Sequence, residues 1–248
     1  MHASSSTIKP ETFIREIVIE DYRTADVFKR LGINYCCSGG ISLVEACAAK
    51  GIDYDAVKKE LSEATRTIYV SNGLQFSEWK IDFLIDYIIN VHHAYLYSAL
   101  PSLQLKLGSF IDGHKKKHAE LIKVYEVFTA LSNFLAHHNR HEEEIIFPYI
   151  KQINAAYQRK ESYGNLFVRT LRKPLDNVEK EHEVIGENLQ KLELYTNNFV
   201  LPPNACTNHQ VLYHKLHEVY NDLIQHKHLE RNILFPKAIE IEQELLQL

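Results

Sequence analysis

Two stretches of this 248-residue chain place imidazole and carboxylate side chains at a spacing that suits metal chemistry. The first is His138-Asn-Arg-His141-Glu142, running on to Phe147-Pro148. The second is His226-Lys-His228-Leu-Glu230, running on to Phe235-Pro236. Both read His-x-x-x-Glu-x-x-x-x-Phe-Pro. On an α-helix, positions four apart lie on one face, about one turn from each other. Each copy therefore presents one imidazole and one carboxylate to the same point. Two such helices facing each other would surround a pair of metal ions in the core of a helical bundle.

The elements that must hold these groups show in the apolar periodicity, taken in steps of three and four. One stripe runs Leu121, Val124, Phe128, Leu131, Leu135, His138, Glu142, Ile145, Tyr149. A second runs Leu171, Leu175, Val178, His182, Ile185, Leu189, Leu192. A third runs Leu212, Leu216, Val219, Leu223, His226, Glu230, Ile233. Each is interrupted only at a His or a His-x-x-x-Glu, and burying such groups is costly unless they are paired or bind a metal. One inward His is most often a hydrogen-bonded core residue. The same motif twice, in phase with clean stripes, is not explained that way. His137, His141 and His228 fall on faces shared with polar residues and read as solvated or supporting groups. In the first long helix, Ile81, Ile85 and Ile88 point to His92, whereas Leu96, Leu100, Leu103 and Leu107 point to His93, so periodicity leaves both open. His93 and His138 stand as far apart as His182 and His226 to within one residue, which gives two helical hairpins of matched design. Two carboxylates able to bridge, set among imidazoles, suit di-iron or di-manganese. Structural zinc more often takes four tetrahedral ligands with Cys among them.

The whole chain reads as all-α. Short helices are expected over residues 21–31, from a Ser42–Glu45 capping box to Gly51, and over 53–65. Residues 66–76 read as a linker. Four long helices follow: one from a Ser77 cap to about Ile111, ending at an Asp112-Gly113 turn, and others over about 115–157, 165–198 and 207 to the end. The expected domains are 1–70, short and helical with a Cys-Cys loop, and 77–248, an antiparallel four-helix bundle. A net charge of −4 gives no electrostatic case for nucleic acid or an anionic membrane. No secretory h-region and no transmembrane run is evident, and a reducing cytoplasm is the expected location. Four Cys, at 36, 37, 47 and 206, are too few and too uneven for a disulfide scaffold. The adjacent thiols of Cys36 and Cys37, in a Gly-rich loop, are candidates for redox or metal transfer. Cys47 and Cys206 read as structural.

The Tyr35-Cys36-Cys37-Ser38-Gly39-Gly40 loop, the following Leu43 and Ala46-Cys47, the double His-x-x-x-Glu…Phe-Pro motif and Pro202-Pro203-x-Ala205-Cys206 together resemble the RIC (repair of iron centres) family. The resemblance covers nearly the whole chain. Asn34 departs from the Asp that the family usually carries before Tyr-Cys-Cys. The resemblance implies a hemerythrin-like bundle and selects His93 over His92 as the lone His of the first helix. It implies two non-haem iron ions, oxo- and carboxylate-bridged, with His93, His138, His182 and His226 as terminal ligands and Glu142 and Glu230 as bridges. It further implies repair of iron–sulfur clusters damaged by oxidants or nitric oxide, through iron donation or nitric oxide chemistry. Damaged iron–sulfur proteins and small molecules such as nitric oxide or oxygen would be the partners. A hemerythrin-like oxygen or nitric oxide sensor without repair activity is the alternative. A small domain on a linker also permits a homodimer through residues 1–70.

Overall fold

The computed structural model describes residues 8–35, 40–66, 74–114, 118–160, 168, 173–203 and 205–247, with side chains described from 178 onward in the helix that starts at Lys173. Cys36 and Cys37 lie outside the described residues. Among those residues the protein is all-α, with a small helical N-terminal domain followed by an antiparallel four-helix bundle. The nearest approach to a strand is an isolated bridge between Phe13 and Ser42. No described helix is long and apolar enough to cross a membrane.

The chain forms two compact units, residues 1–72 with 200–215, and residues 73–199 with 216–248. The first contains α1 (Ile14–Glu20), α2 (Thr24–Arg30), α3 (Leu43–Lys50) and α4 (Tyr54–Ala64). Helix α1 was not expected from the sequence; its inward residues Ile14, Ile17 and Val18 are too few to set a period. Helix α3 opens with a complete capping box. The Glu45 N–H donates to Ser42 Oγ, and the Ser42 N–H donates to the Glu45 carboxylate at 2.8 Å. It stops at Gly51, whose φ of 65° is costly for any residue with a Cβ. Asp53 caps α4 by accepting from the Ala56 N–H. These helices bury Phe28, Leu43, Cys47, Leu61 and Val211 in one core. Burial pushes the Cys47 thiol pKa up, and Asp53 adds to this, so Cys47 is a packing residue and a poor nucleophile.

The second unit opens with a 3₁₀ turn, Phe76–Glu78. Ser77 sits in that turn and does not cap the long helix. Lys237 Nζ fastens the turn by donating to the carbonyls of Ser77 and Trp79. Helix α5 (Ile81–Tyr87) then runs through a π turn, Ile88–His93, into α6 (Ala94–His114). Asp112 and Gly113 lie inside α6, which runs to His114, and do not form the expected turn. Helix α7 (Glu120–His141) continues through a π turn, Glu142–Ile146, into α8 (Phe147–Gln158). Helix α9 spans Lys173–Tyr195. Helix α10 (Thr207–Leu229) continues through a π turn, Glu230–Leu234, into α11 (Phe235–Gln247). Within the bundle α7 packs on α6 and α9, and α8 packs on α11.

The π turns correct two sequence expectations. Ile145 is 48% exposed and Ile233 is only partly buried, whereas Ile146 and Leu234 are buried. A π turn takes one extra residue, so each stripe slips by one position after the Glu. The amide of Phe147 bonds the carbonyl of Glu142, and that of Phe235 bonds the carbonyl of Glu230, each five residues back. Pro148 and Pro236 follow directly. Each lacks an N–H and would crowd the carbonyl four residues back in a regular helix, and a widened turn just before it removes the conflict. The same device reconciles the first helix. A five-residue step carries the stripe from Ile88 to His93, and both His92 and His93 are buried.

Candidate metal centre

Each π turn begins or ends at one of the groups singled out by the sequence: His93 closes the first, Glu142 opens the second and Glu230 opens the third. π turns recur at functional sites because they re-aim a side chain without breaking the helix. Here they help bring six side chains into one buried layer of the second unit. His93, Glu142, His226 and Glu230 form one group, and His138, Glu142, His182 and Glu230 form another. Within each group the ligand-capable atoms lie within 4.8 Å of one another. Both carboxylates belong to both groups.

The distances describe a polar layer that is only partly paired. His93 Nε2 lies 3.4 Å from Glu142 and 3.1 Å from His226 Nε2. His226 Nε2 lies 2.8 Å from Glu230. His138 Nε2 is 3.3 Å from Glu142, and His182 Nε2 is 3.3 Å from Glu230. All six residues are buried. Both oxygens of Glu142, one of Glu230, and the Nε2 atoms of His138 and His182 have no hydrogen-bond partner. Buried polar atoms left this way are costly, and inward-facing imidazole nitrogens around shared carboxylates are the donor set of a carboxylate-bridged metal pair. The residues fit such a pair.

Electrostatics agree. Burial works against a charged His93, yet Glu142 and Glu230 override it and raise its pKa to about 10. The same balance raises His182 to about 9 and raises His138. For Glu142, burial and the charge of Glu230 favour protonation, but His138, His182 and His93 prevail and hold its pKa below the ordinary value. Glu230 is held well below, with His226 the first of the groups that outweigh burial. Without metal the site keeps its carboxylates ionised by keeping protons on imidazoles.

Two supporting carboxylates were missed as such by the sequence reading. His93 Nδ1–H donates to Glu143 at 2.7 Å, and Glu143 also accepts from the Tyr97 hydroxyl at 3.1 Å. His138 Nδ1–H donates to Glu181 at 2.6 Å. A carboxylate on Nδ1 fixes the tautomer and turns the Nε2 lone pair inward. Their only signal in the sequence is adjacency: Glu143 follows Glu142, and Glu181 precedes His182. His92 is not part of the six-residue layer; its Nδ1 donates to Asp222 at 2.9 Å. His137 and His228 are exposed and His141 is partly so, as their faces predicted.

Residues 84–238 match the hemerythrin HHE cation-binding domain, and residues 11–65 match the N-terminal ScdA domain, described as a domain of unknown function (DUF542). The chain is 30% identical over 227 residues to the iron–sulfur cluster repair protein YtfE of Escherichia coli O81 (strain ED1a), covering 90% of this chain and 94% of the relative. The YtfE proteins of Citrobacter koseri and Escherichia fergusonii match to the same extent. With an ScdA-type domain, a cation-binding bundle and this similarity along nearly its whole length, the chain belongs to the RIC family of iron–sulfur cluster repair proteins.

Proposed function

We propose that the chain is a non-haem di-iron protein that repairs iron–sulfur clusters damaged by oxidative or nitrosative stress. His93 and His226 would hold one iron, His138 and His182 the other, and Glu142 and Glu230, which belong to both groups, would serve both ions. The observation that carries this reading is the sharing of both buried carboxylates by two otherwise separate pairs of imidazoles. When bound, the iron pair supplies one-electron chemistry and a place for oxygen or nitric oxide. The chain's own residues do the rest. Glu143 and Glu181 orient His93 and His138, and the apolar layers on either side exclude water. The likeness to proteins named for cluster repair supports damaged iron–sulfur proteins as clients. Cys36 and Cys37 belong to the same proposal as thiols that pass iron or electrons. Alkylation of both at rates equal to those of the unfolded chain would count against that role.

The test is metal content and absorption of the purified protein beside a Glu142→Ala/Glu230→Ala variant, followed by reactivation of a nitric oxide-damaged iron–sulfur enzyme. About two irons per chain, lost in the variant, with reactivation that depends on them, is the expected result. Iron without reactivation would favour an oxygen or nitric oxide sensor. Iron unaffected by the variant would overturn the site.

A further inference from the structure

A line of aromatic rings runs from the edge of the second unit to His226, and the chemistry above does not use it. The ring centroids of Trp79 and Tyr87 are 5.2 Å apart. Tyr87 meets His92 edge to face at 5.5 Å, and His92 stacks on His226 at 5.6 Å with 9° between the planes. Rings at such separations are in contact. Trp79 and Tyr87 are half-buried, and Phe83, which packs on Trp79, is 56% exposed, so the line reaches solvent. Indole and phenol are the side-chain rings most readily oxidised by one electron, and an imidazole between them and a metal ligand couples the two ends.

Core packing accounts for Trp79, which lies against the apolar cluster of the bundle. It does not account for His92. An imidazole 2% exposed, with Nε2 lacking a hydrogen-bond partner, is costly where an aliphatic side chain would fill the space. Asp222 fixes its Nδ1, and the ring runs nearly parallel to that of His226, offset from it. His92 is thus held as a spacer between a phenol and a ring of the metal centre.

We infer that Trp79, Tyr87 and His92 form an electron-transfer line into the centre through His226, an inference that rests on the di-iron reading. Its use arises when hydrogen peroxide meets a centre holding one ferrous and one ferric iron. Reducing peroxide to two waters takes two electrons and two protons. A ferrous ion held there would supply one electron. Tyr87 supplies the other by way of His92 and His226; its phenolic O–H breaks, leaving a phenoxyl radical. That proton and one from solvent complete the waters. Tyr87 and Trp79 exchange the radical in a reversible step that favours the phenoxyl; an electron and a proton from Trp79 restore the phenol, and a soluble thiol draws this forward by giving Trp79 a hydrogen atom. Thiyl radicals from successive events combine as a disulfide.

The chain has a single tryptophan, so the origin of the line can be addressed selectively. Azidyl radicals generated by pulse radiolysis oxidise Trp79 in the full-length, metal-free protein. The indolyl signal is expected to decay, and a phenoxyl signal to grow, at one rate independent of protein concentration. Tyr87→Phe, which keeps the ring and its packing, is expected to slow this step by an order of magnitude, and Tyr125→Phe, at a ring beside Gly108 of α6, to leave it unchanged. In the ferrous-loaded protein the same pulse is expected to end as ferric absorption. His92→Leu is expected to slow that growth by an order of magnitude at unchanged iron content. Unchanged kinetics in Tyr87→Phe overturn the line even if His92→Leu does not fold, and unchanged growth in a folded, iron-loaded His92→Leu overturns its last step. A preparation that takes up no iron overturns the di-iron reading and the line's destination together, whereas intact iron with unaltered variants overturns the line alone.

Discussion

Glu143 and Glu181 each accept an Nδ1–H from an imidazole whose Nε2 faces the centre. Replacing either by Gln keeps a group of the same shape but removes the charge that makes the imidazole a strong donor. Glu143→Gln and Glu181→Gln should weaken metal retention by about 10- to 100-fold, measured as iron left after timed exposure to a chelator; retention equal to that of the parent would remove them from the site. Protonation is the other control at this scale. Glu142 and Glu230 raise His93 to about 10 and His182 to about 9 in the metal-free chain, so both imidazoles are protonated at neutral pH. Metal must displace those protons. Loading near neutral pH should therefore release protons, and apparent affinity should rise as pH rises towards about 9 to 10. Calorimetry in buffers of different ionisation enthalpy would detect this. The linked stability has the sign of a raised pKa. It is fully present below the ordinary imidazole pKa and is lost as pH rises through 9 and then 10. Denaturant titrations should show this alkaline loss in the metal-free protein and not in the loaded one.

The element that matters most is the π turn. Deleting Ile145 would turn Glu142–Ile146 into a regular turn. Ile146, Ile150 and Ile153 would keep the core face, because the slip of one position leaves with the extra residue, but Glu142 would lose its aim and Pro148 would crowd the carbonyl four residues back. The deletion should lose iron and lower the melting temperature, whereas Ile145→Ala, at a half-exposed position, should do neither. A deletion variant with full iron content would show that the turn does not set the site. The helix before the turn can be probed by packing. Leu135 is fully buried about one turn before His138, and Leu135→Ala should cost about 2 to 5 kcal/mol, read from chemical denaturation. At this scale the helices were legible wherever a stripe was long, as in α7 and α10. Helix α1 and the extension of α6 to His114 were not, because a two-turn helix carries too little period and Asp-Gly is a turn signal only when tertiary contacts do not override it. The slip at Ile145 was hidden for a related reason. Steps of three and four contain no five-residue step, although Pro148 marked the place.

For the molecule as a whole, metal is expected to act as a structural ligand of the second unit. The six-residue layer lies between apolar layers, and anything that binds only the folded state stabilises it by mass action. Removing iron should lower the melting temperature of the bundle, and equal melting temperatures with and without iron would show that the metal is not held by this layer.

By itself, the sequence determined that the chain is helical and which residues could chelate. Residue types and a four-residue spacing are local properties, and buried groups that interrupt an apolar stripe stand out without any knowledge of the fold. Only the tertiary structure decided that both carboxylates face both imidazole pairs, that Glu143 and Glu181 stand behind His93 and His138, and that His92 turns to Asp222 and stacks on His226. These relations join side chains from different helices. They depend on helix rotation, which three widened turns reset by one residue each and which no periodicity count carries across them.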